Sequence, residues 1–245
     1  MLRRAITQKW PRDVIVALTF LLVTLMGPNS ARAQTLVDLE LILAVDASGS
    51  VDPSEYALQL QGIAAAIADT EVIAAIQSGP IGRIAIALIV WGEAGIVADE
   101  SPWALIADAP SAERFAGVVA GFPRRVSGGT GIGAGLTQGM RMFDRNGFLG
   151  TRQVVDVSGD GRETPPRDYV ALIHHARAMA QARGITINGL AILNDDPELD
   201  AWYRQAVITG PGAFVMTARN YDDFAEAMRR KLLREIENLP NVARH

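Results

Sequence analysis

The sequence predicts an α/β fold, a doubly wound and mostly parallel sheet with helices on both faces. Strand-like apolar segments alternate with helix-like segments along most of the chain, and this alternation is typical of parallel strands joined by crossover helices. The strand-like segments are apolar almost throughout, as expected for strands that are covered on both faces. Polar residues follow the ends of several strands, at the position where open α/β sheets form their sites.

The strands are expected where large apolar residues cluster between turn-forming residues. The first covers residues 37–45, and its apolar side chains lead directly into Asp46. We expect further strands at residues 83–91, 152–157, 186–193 and 213–216, with a short edge strand within residues 92–100.

The helices are predicted from their N-terminal caps and from apolar residues at helical spacing. Asp52-Pro53-Ser54-Glu55 has the residue types of a capped helix start, with Asp52 as the cap. Ser111 and Asn220 are predicted to cap two later helices. The predicted helices cover residues 53–68, 70–77, 112–121, a segment that ends near 143, 165–183, 197–208 and the segment after Asn220.

Composition limits the classes of function. The chain has 245 residues, of which 49% are hydrophobic and 20% charged, and this fits one globular domain with a sizeable core. It contains no cysteine, which excludes disulfides, thiolate metal sites and a thiol nucleophile.

The first 33 residues have the three parts of a secretory signal peptide. Basic residues come first, an apolar run follows at residues 14–26, and Ala31-Arg32-Ala33 is a small-x-small cleavage signal. We therefore predict a signal peptide at residues 1–33, a mature domain at residues 34–245, and a periplasmic or secreted location. Because the apolar run is shorter than the roughly 20 residues that span a bilayer, no stable membrane span is expected after cleavage; an uncleaved anchor is the alternative.

The charge of the mature chain argues against nucleic-acid binding. Residues 1–33 contain five basic residues and one acidic residue, so their removal changes the formal net charge from −4 to −8. Phosphates require a positively charged binding surface, and we therefore expect no nucleic-acid partner.

A candidate metal site begins where the first strand ends. Asp46, Ser48 and Ser50 follow that strand at every second position. One carboxylate and two hydroxyls are hard oxygen donors, which suit Mg²⁺ or Ca²⁺ better than zinc. As an alternative, Asp and Ser are also common turn and cap residues.

Two further oxygen donors are expected at the same edge of the sheet. Thr130 lies in the glycine-rich loop at residues 126–135, and Asp160 lies in Ser158-Gly159-Asp160-Gly161 directly after a predicted strand. Both precede predicted helices, which is where open sheets place their ligands.

The three motifs together resemble the metal-ion-dependent adhesion site of von Willebrand factor A domains, and the resemblance extends over about residues 36–237. Within that superfamily the chain resembles a group of exported bacterial proteins known only as a domain of unknown function. The resemblance implies that Ser48, Ser50 and Thr130 coordinate the ion through hydroxyls, and that Asp46 and Asp160 contribute carboxylates directly or through water. It also implies Mg²⁺, with Mn²⁺ or Ca²⁺ as alternatives, and an open position for an Asp or Glu carboxylate of a protein partner.

The sequence supports an enzyme less well than a binding module. The alternative is a metal-dependent hydrolase or phosphotransferase that uses the same acids. However, Ser48 stands where aspartyl-nucleophile phosphotransferases carry a second acid, so the proton-transfer partner is missing. The glycine-rich loop lacks the Lys-Ser/Thr of a phosphate-binding loop. We predict no catalytic residue and no organic cofactor.

A third acid, Asp156, falls inside the predicted strand at residues 152–157. A buried carboxylate needs partners, and we expect a hydrogen-bonded acid that holds a neighbouring loop. A role in orienting a hydroxyl ligand and direct metal ligation are the alternatives. Arg162, Glu163 and Thr164 are read either as rim residues of the site or as a solvated helix lead-in.

Overall fold

The computed structural model describes residues 34–165 and 172–237. The predicted signal peptide at residues 1–33 lies outside these ranges, and so does part of the predicted helix at residues 165–183.

The described chain forms the predicted doubly wound sheet. The strands are β1 (Thr35–Val37), β2 (Leu39–Asp46), β3 (Ile84–Trp91), β4 (Asp99–Glu100), β5 (Ala104–Ile106), β6 (Phe148–Gly150), β7 (Gln153–Gly159), β8 (Thr186–Ile192) and β9 (Val215–Ala218). A seven-stranded sheet has the order β4-β3-β2-β7-β8-β9, with β5 also paired to β3. The pairs between β2, β3, β7, β8 and β9 are parallel, and the short strands β4 and β5 run antiparallel to β3.

Helices cover both faces of this sheet. The helices are α1 (Pro53–Ile67), α2 (Thr70–Gln77), α3 (Ala109–Ala120), α4 (Ile132–Met142), α5 (Ile173–Arg183), α6 (Leu199–Trp202) and α7 (Phe224–Glu237). Buried residues of α1, α2, α3 and α7 lie in one core cluster with one face of the sheet, and buried residues of α4, α5 and α6 lie in the other. Strand β2 lies between the two layers, and all eight of its residues are buried.

The first predicted strand is interrupted at Asp38. Val37, its first residue, belongs to β1, which pairs in parallel with β6 as a separate two-stranded sheet, and β2 starts at Leu39. The Asp38 carboxylate accepts hydrogen bonds from the backbone N–H groups of Ile81 at 3.0 Å and Gly82 at 2.8 Å. Asp38 therefore fixes the loop that leads into β3, and the ladder is broken at this residue.

Two helix caps are as predicted and one is not. Asp52 and Asn220 cap α1 and the short 3₁₀ turn that leads into α7. The predicted cap Ser111 is wrong: α3 begins at Ala109, and Asp108 is its cap. Ser111 is the third residue of the helix and donates its backbone N–H to the Asp108 carboxylate at 2.9 Å.

Two elements near the C-terminus differ from their predicted ranges. The predicted helix at residues 197–208 consists of α6 and a π-helical turn at Tyr203–Val207. Strand β9 begins two residues later than predicted.

Helix α5 starts later than predicted. Leu172 has an extended backbone, and the helix begins at Ile173 rather than at Pro165. The Glu163 carboxylate accepts hydrogen bonds from the backbone N–H of Ile173 at 3.1 Å and of Gly133 at 2.7 Å. Because helix N-termini carry unpaired N–H groups and favour negative charge, Glu163 joins the first turns of α4 and α5. It is thus neither a free rim residue nor a solvated lead-in.

Helix α7 runs from the carboxyl edge of the sheet to its amino edge. At its start, the Tyr221 hydroxyl donates to Asp160, which follows β7. At its end, the Glu235 backbone carbonyl accepts a hydrogen bond from Arg152, which precedes β7. The first described residue, Gln34, bonds Phe148 beside β1, so both ends of the described domain lie at the amino edge.

Within the described residues, no single helix is long and apolar enough to cross a membrane. Helices α1 and α2 meet the criteria of length and composition only as a pair bent by 50°.

Candidate metal centre

Asp46 occupies the end of the central strand and is fully buried. Its Oδ1 accepts a hydrogen bond from the backbone N–H of Ser48 at 2.7 Å, and its backbone carbonyl accepts one from the Gln59 side chain at 3.1 Å. The next N–H, of Ala47, donates to the carbonyl of Trp91 at the end of β3. The chain is therefore held on both sides of Asp46 as it leaves the sheet.

A row of hydroxyls connects this loop to the second acid. The hydroxyl oxygens of Ser48 and Ser50 lie 3.2 Å apart, and Ser50 donates to Asp160 Oδ1 at 2.8 Å. The other oxygen of Asp160 accepts from the Tyr221 hydroxyl at 2.9 Å. The carboxylates of Asp46 and Asp160 thus lie at opposite ends of one short polar chain.

The glycine-rich loop completes the arrangement. The backbone N–H of Gly49 donates to the Gly128 carbonyl at 2.7 Å, which ties this loop to the first motif. Thr130 exchanges two hydrogen bonds with Thr164: its backbone N–H donates to the Thr164 hydroxyl at 3.0 Å, and its carbonyl accepts from the Thr164 N–H at 2.9 Å. A methyl group added to Gly161 would come within 3.7 Å of the Thr130 hydroxyl. The structure therefore brings all three predicted motifs to one edge of the sheet, with Thr130 beside the residue that follows Asp160.

Arg124 supports the first loop and was not found from the sequence. Its guanidinium Nη2 donates to the backbone carbonyls of Ala47 at 3.1 Å, Ser48 at 2.9 Å and Val51 at 2.7 Å. The guanidinium also lies 5.7 Å from the centre of the Tyr56 ring. One side chain thus fixes three carbonyls of the Asp46–Val51 turn.

Replacing Arg124 by Ala is expected to destabilise the protein by about 1–3 kcal/mol, the usual cost of losing hydrogen bonds to a charged group. Urea unfolding of the parent and the variant measures this difference. Arg125→Ala is the matched control, because Arg125 is exposed and only approaches Asp99 at 3.7 Å, an interaction worth less than about 1 kcal/mol. Equal stabilities of the two variants would contradict the role given to Arg124.

Two buried oxygens in the site have no hydrogen-bond partner among the described residues, Asp46 Oδ2 and the Tyr203 hydroxyl. A methyl group added to Gly159 would lie 2.8 Å from Asp46 Oδ2 and 2.9 Å from the Tyr203 oxygen. The absence of a side chain at Gly159 therefore leaves room for the second oxygen of Asp46.

The electrostatics of Asp46 favour binding of a cation. Burial raises the pKa of Asp46 to about 7, and the Asp160 charge adds to this, while the hydrogen bond from the Ser48 N–H acts in the opposite direction. An opposite charge close to a buried carboxylate favours its ionised form. The site thus has an acid that is costly to ionise unless a cation is bound.

The donor set contains only oxygen. Among the described residues, no group of three or more His, Cys, Asp and Glu side chains is arranged to hold a metal. The candidate site has instead two carboxylates and three hydroxyls, a set that fits Mg²⁺, Mn²⁺ or Ca²⁺ rather than ions that prefer nitrogen and sulfur.

Asp156 is not part of this centre. It is buried, as predicted, but its Oδ1 contacts the Lys231 ammonium on α7 rather than a loop or a hydroxyl ligand. His175 also lies outside this centre: in the first turn of α5, it accepts a hydrogen bond from the Leu172 N–H at 3.3 Å.

Comparison with known proteins gives one family and many structural relatives. A family model described as "Protein of unknown function (DUF1194)" matches residues 36–240. No protein with a curated function matches the chain.

The solved structures that resemble the chain include a pilus adhesin, a thread matrix protein and the von Willebrand factor domain of a pilus tip protein. The pilus adhesin SpaC from Lactobacillus rhamnosus GG aligns with a TM-score of 0.59 at 16% identity, over 84% of this chain and 31% of the adhesin. Proximal thread matrix protein 1 from the mussel byssus, with zinc in its metal-ion-dependent adhesion site (MIDAS) motif, aligns with a TM-score of 0.53 at 14% identity. The alignment covers 84% of this chain and 48% of the mussel protein. The von Willebrand factor domain of the pilus tip protein Mfa5 from Porphyromonas gingivalis aligns with a TM-score of 0.56 at 12% identity, over 84% of this chain and 97% of the Mfa5 domain.

These identities show a shared fold alone. The chain spans less than half the length of the SpaC adhesin and of the mussel protein, and nearly the whole of the Mfa5 domain. The resemblance to von Willebrand factor A domains, stated from the sequence, is confirmed at the level of the fold.

Proposed function

The chain belongs to the DUF1194 family and has the von Willebrand factor A fold, and we propose that it is an exported binding module that holds a divalent cation and engages a carboxylate of a partner protein through it. The ligands would be Asp46, Ser48, Ser50, Thr130 and Asp160. Mg²⁺ is the proposed ion, and Mn²⁺ or Ca²⁺ would suit the same oxygen donors.

One observation carries the proposal: the fully buried Asp46 carboxylate has an oxygen without a partner in the described structure. Close to it, the Ser48 and Ser50 hydroxyls lie within hydrogen-bond distance of each other, and Ser50 donates to the Asp160 carboxylate. Buried polar atoms are rarely left unpaired, and an unpaired buried charge is costly. A cation at this position would satisfy Asp46 and give Ser48 and Ser50 a ligand role.

The partner chemistry follows from charge. The chain without its predicted signal peptide has a formal net charge of −8, so an acidic partner would be repelled in the absence of the ion. A bound divalent cation reverses the local potential and allows a partner Asp or Glu to bind. The pilus and byssus relatives are named as adhesion and matrix proteins, which supports an extracellular or periplasmic location together with the predicted signal peptide.

The enzymatic alternative lacks a proton-transfer group. The side-chain groups that donate to the Asp160 carboxylate are the hydroxyls of Ser50 and Tyr221, and the hydroxyl of Tyr203 lies on the same side of Gly159 as Asp46 Oδ2. Burial raises the pKa of Tyr203 well above its ordinary value, which makes this phenol a poor general base at neutral pH. Metal-dependent turnover of a phosphoester or ester substrate, lost in Asp46→Ala, would favour a hydrolase or phosphotransferase.

Calorimetric titration of Mg²⁺ into the purified protein tests the metal site. Binding is expected in the parent and is expected to be absent in Asp46→Ala and Thr130→Ala. Thr130→Ser is the matched control, since it keeps the hydroxyl and should retain binding. Equal binding by the parent and by Asp46→Ala would contradict the proposed site.

A second titration tests the partner chemistry. The protein with Mg²⁺ is titrated with an Asp-containing peptide and with the matching Asn-containing peptide. Only the acidic peptide is expected to bind, and chelation of the metal should abolish its binding. Metal-independent binding of the peptide would overturn the bridging role of the cation while leaving the metal site itself intact.

A further inference from the structure

A second buried polar cluster lies between β7 and α7, away from the candidate metal centre. Lys231 is fully buried, and the side chains of Asp156 and Glu235 are each 1% exposed. The Lys231 Nζ is in direct contact with Asp156 Oδ1, and it lies 3.3 Å from Glu235 Oε1. An amine, a carboxyl group and a second carboxylate therefore meet inside the core.

The second carboxylate is held in place by its neighbours. Asn188, which pairs with Asp156 across β7 and β8, donates its side-chain N–H to Glu235 Oε1 at 2.7 Å. The side-chain oxygen of Asn188 accepts a hydrogen bond from the backbone N–H of Phe214 at 2.8 Å, and the Phe214 ring centre lies 5.1 Å from Lys231 Nζ. Glu235 is thus fixed beside the nitrogen in an environment that is apolar on one side.

As a set of ions the cluster leaves Asp156 incompletely paired. One ammonium group contacts two carboxylates, the Arg152 guanidinium carries a further positive charge near Glu235, and Asp156 Oδ2 is buried without a partner among the described residues. Burial raises the pKa of Asp156 to about 6, which the Lys231 charge partly offsets and the Glu235 charge reinforces. Desolvation penalises charged amines and charged carboxylates alike, so transfer of a proton from the ammonium group to Asp156 would relieve two buried charges.

We propose that Lys231 and Asp156 condense spontaneously to form an amide bond between their side chains, with Glu235 as the proton carrier. The neutral Lys231 nitrogen attacks the carboxyl carbon of protonated Asp156, and an Nζ–Cγ bond forms. The nitrogen gives one proton to the Glu235 carboxylate, which passes it to the hydroxyl group leaving Cγ. One C–O bond breaks, one water molecule is released, and Glu235 ends as the carboxylate it was at the start.

The surroundings suit this reaction. Reacting groups held in contact gain the large effective concentration of an intramolecular reaction, and a buried site limits reversal by bulk water. A cavity of about 510 Å³ is lined in part by Asn188, Phe214 and Glu235, so the proton carrier of the proposed reaction borders a space that can take up the released water. The inference rests on none of the proposed metal ligands.

Mass spectrometry of the full-length protein tests the bond directly. The folded parent, with or without residues 1–33, is expected to have an intact mass lower by one water molecule than the mass calculated for its amino-acid sequence. A protease digest should contain one branched peptide that joins the segments carrying Lys231 and Asp156. An unmodified intact mass, with both segments recovered as separate linear peptides, would overturn the proposal and leave the cluster as a non-covalent ion pair.

Variants identify the role of each group. Lys231→Arg keeps the positive charge but should show no mass loss. Asp156→Asn should lose one ammonia molecule in place of water, because the amide nitrogen becomes the leaving group. Glu235→Gln is expected to fold, as judged by circular dichroism, and to show at most a small fraction of the bond. Complete bond formation in Glu235→Gln would overturn the role of Glu235 as proton carrier.

Discussion

Magnesium affinity is expected to fall about tenfold for each pH unit below about pH 7, and to be nearly constant above it. The cause is Asp46, whose pKa burial raises to about 7 in the protein without metal. A metal binds the carboxylate and not the acid, so one proton must leave before the ion can bind. Calorimetric titrations at about pH 5, 6, 7 and 8, in buffers of different ionisation enthalpy, measure both the affinity and the released proton.

The same shift predicts how stability depends on pH. The pKa of Asp46 is raised in the folded state from an ordinary value of 3.8, so between about pH 4 and about pH 7 the folded protein binds more protons than the unfolded chain. Its free energy of unfolding should therefore fall as the pH rises through this window. Saturating Mg²⁺ should remove the loss, because the ion then stabilises the carboxylate.

Asp144→Asn is the control for both measurements. Asp144 is a surface carboxylate that lies 2.6 Å from the guanidinium of Arg183 on α5. Its removal should change neither the pH dependence of Mg²⁺ affinity nor the number of protons released on binding. An affinity for Mg²⁺ that is the same at about pH 5 and about pH 8 would contradict the assignment of Asp46 as a ligand.

Gly159→Ala is expected to weaken Mg²⁺ binding by about 10–100-fold, the usual range for changes in residues that contact and orient a metal ligand. The added methyl group would lie within 3 Å of both Asp46 Oδ2 and the Tyr203 hydroxyl, and either oxygen would have to move. The side chains here are buried, so the same change should also destabilise the fold by about 1–3 kcal/mol. Titration at a temperature where the variant remains folded separates the two effects.

Gly117→Ala provides the comparison. Gly117 lies in α3, and a methyl group there would have no neighbour within 4 Å. This substitution should leave Mg²⁺ affinity unchanged and, because Ala favours helix, stabilise the protein by up to about 1 kcal/mol. Parent-like affinity in Gly159→Ala would show that the space beside Asp46 is not needed for the ion.

The sequence was sufficient to predict the main features of the fold and the place where the site lies. The strand that leads into Asp46 is apolar apart from Asp38 and Glu40, and the alternation of strands and helices allows few topologies. Once the parallel order was predicted, Asp46 and Asp160 had to end at the same edge, since both follow strands of one parallel sheet.

Other parts of the site depend on contacts between distant segments. Arg124 and Arg125 are identical in the sequence, yet only Arg124 turns toward the first loop. Tyr203 and Tyr221 lie far along the chain from Asp46 and carry no local pattern that would connect them to it. The break at Asp38 likewise depends on backbone N–H groups more than 40 residues later, which no local propensity describes.

The position of the two ends of the domain has a mechanical consequence. Gln34 and the end of α7 both lie at the amino edge of the sheet, and the candidate centre lies at the other edge, across the eight residues of β2, or about 26 Å at 3.3 Å per residue. A tether on either end would hold the domain with this centre facing outward. Tension between such a tether and a ligand held at the opposite edge would run along the strands, so the parallel ladder would be loaded in shear.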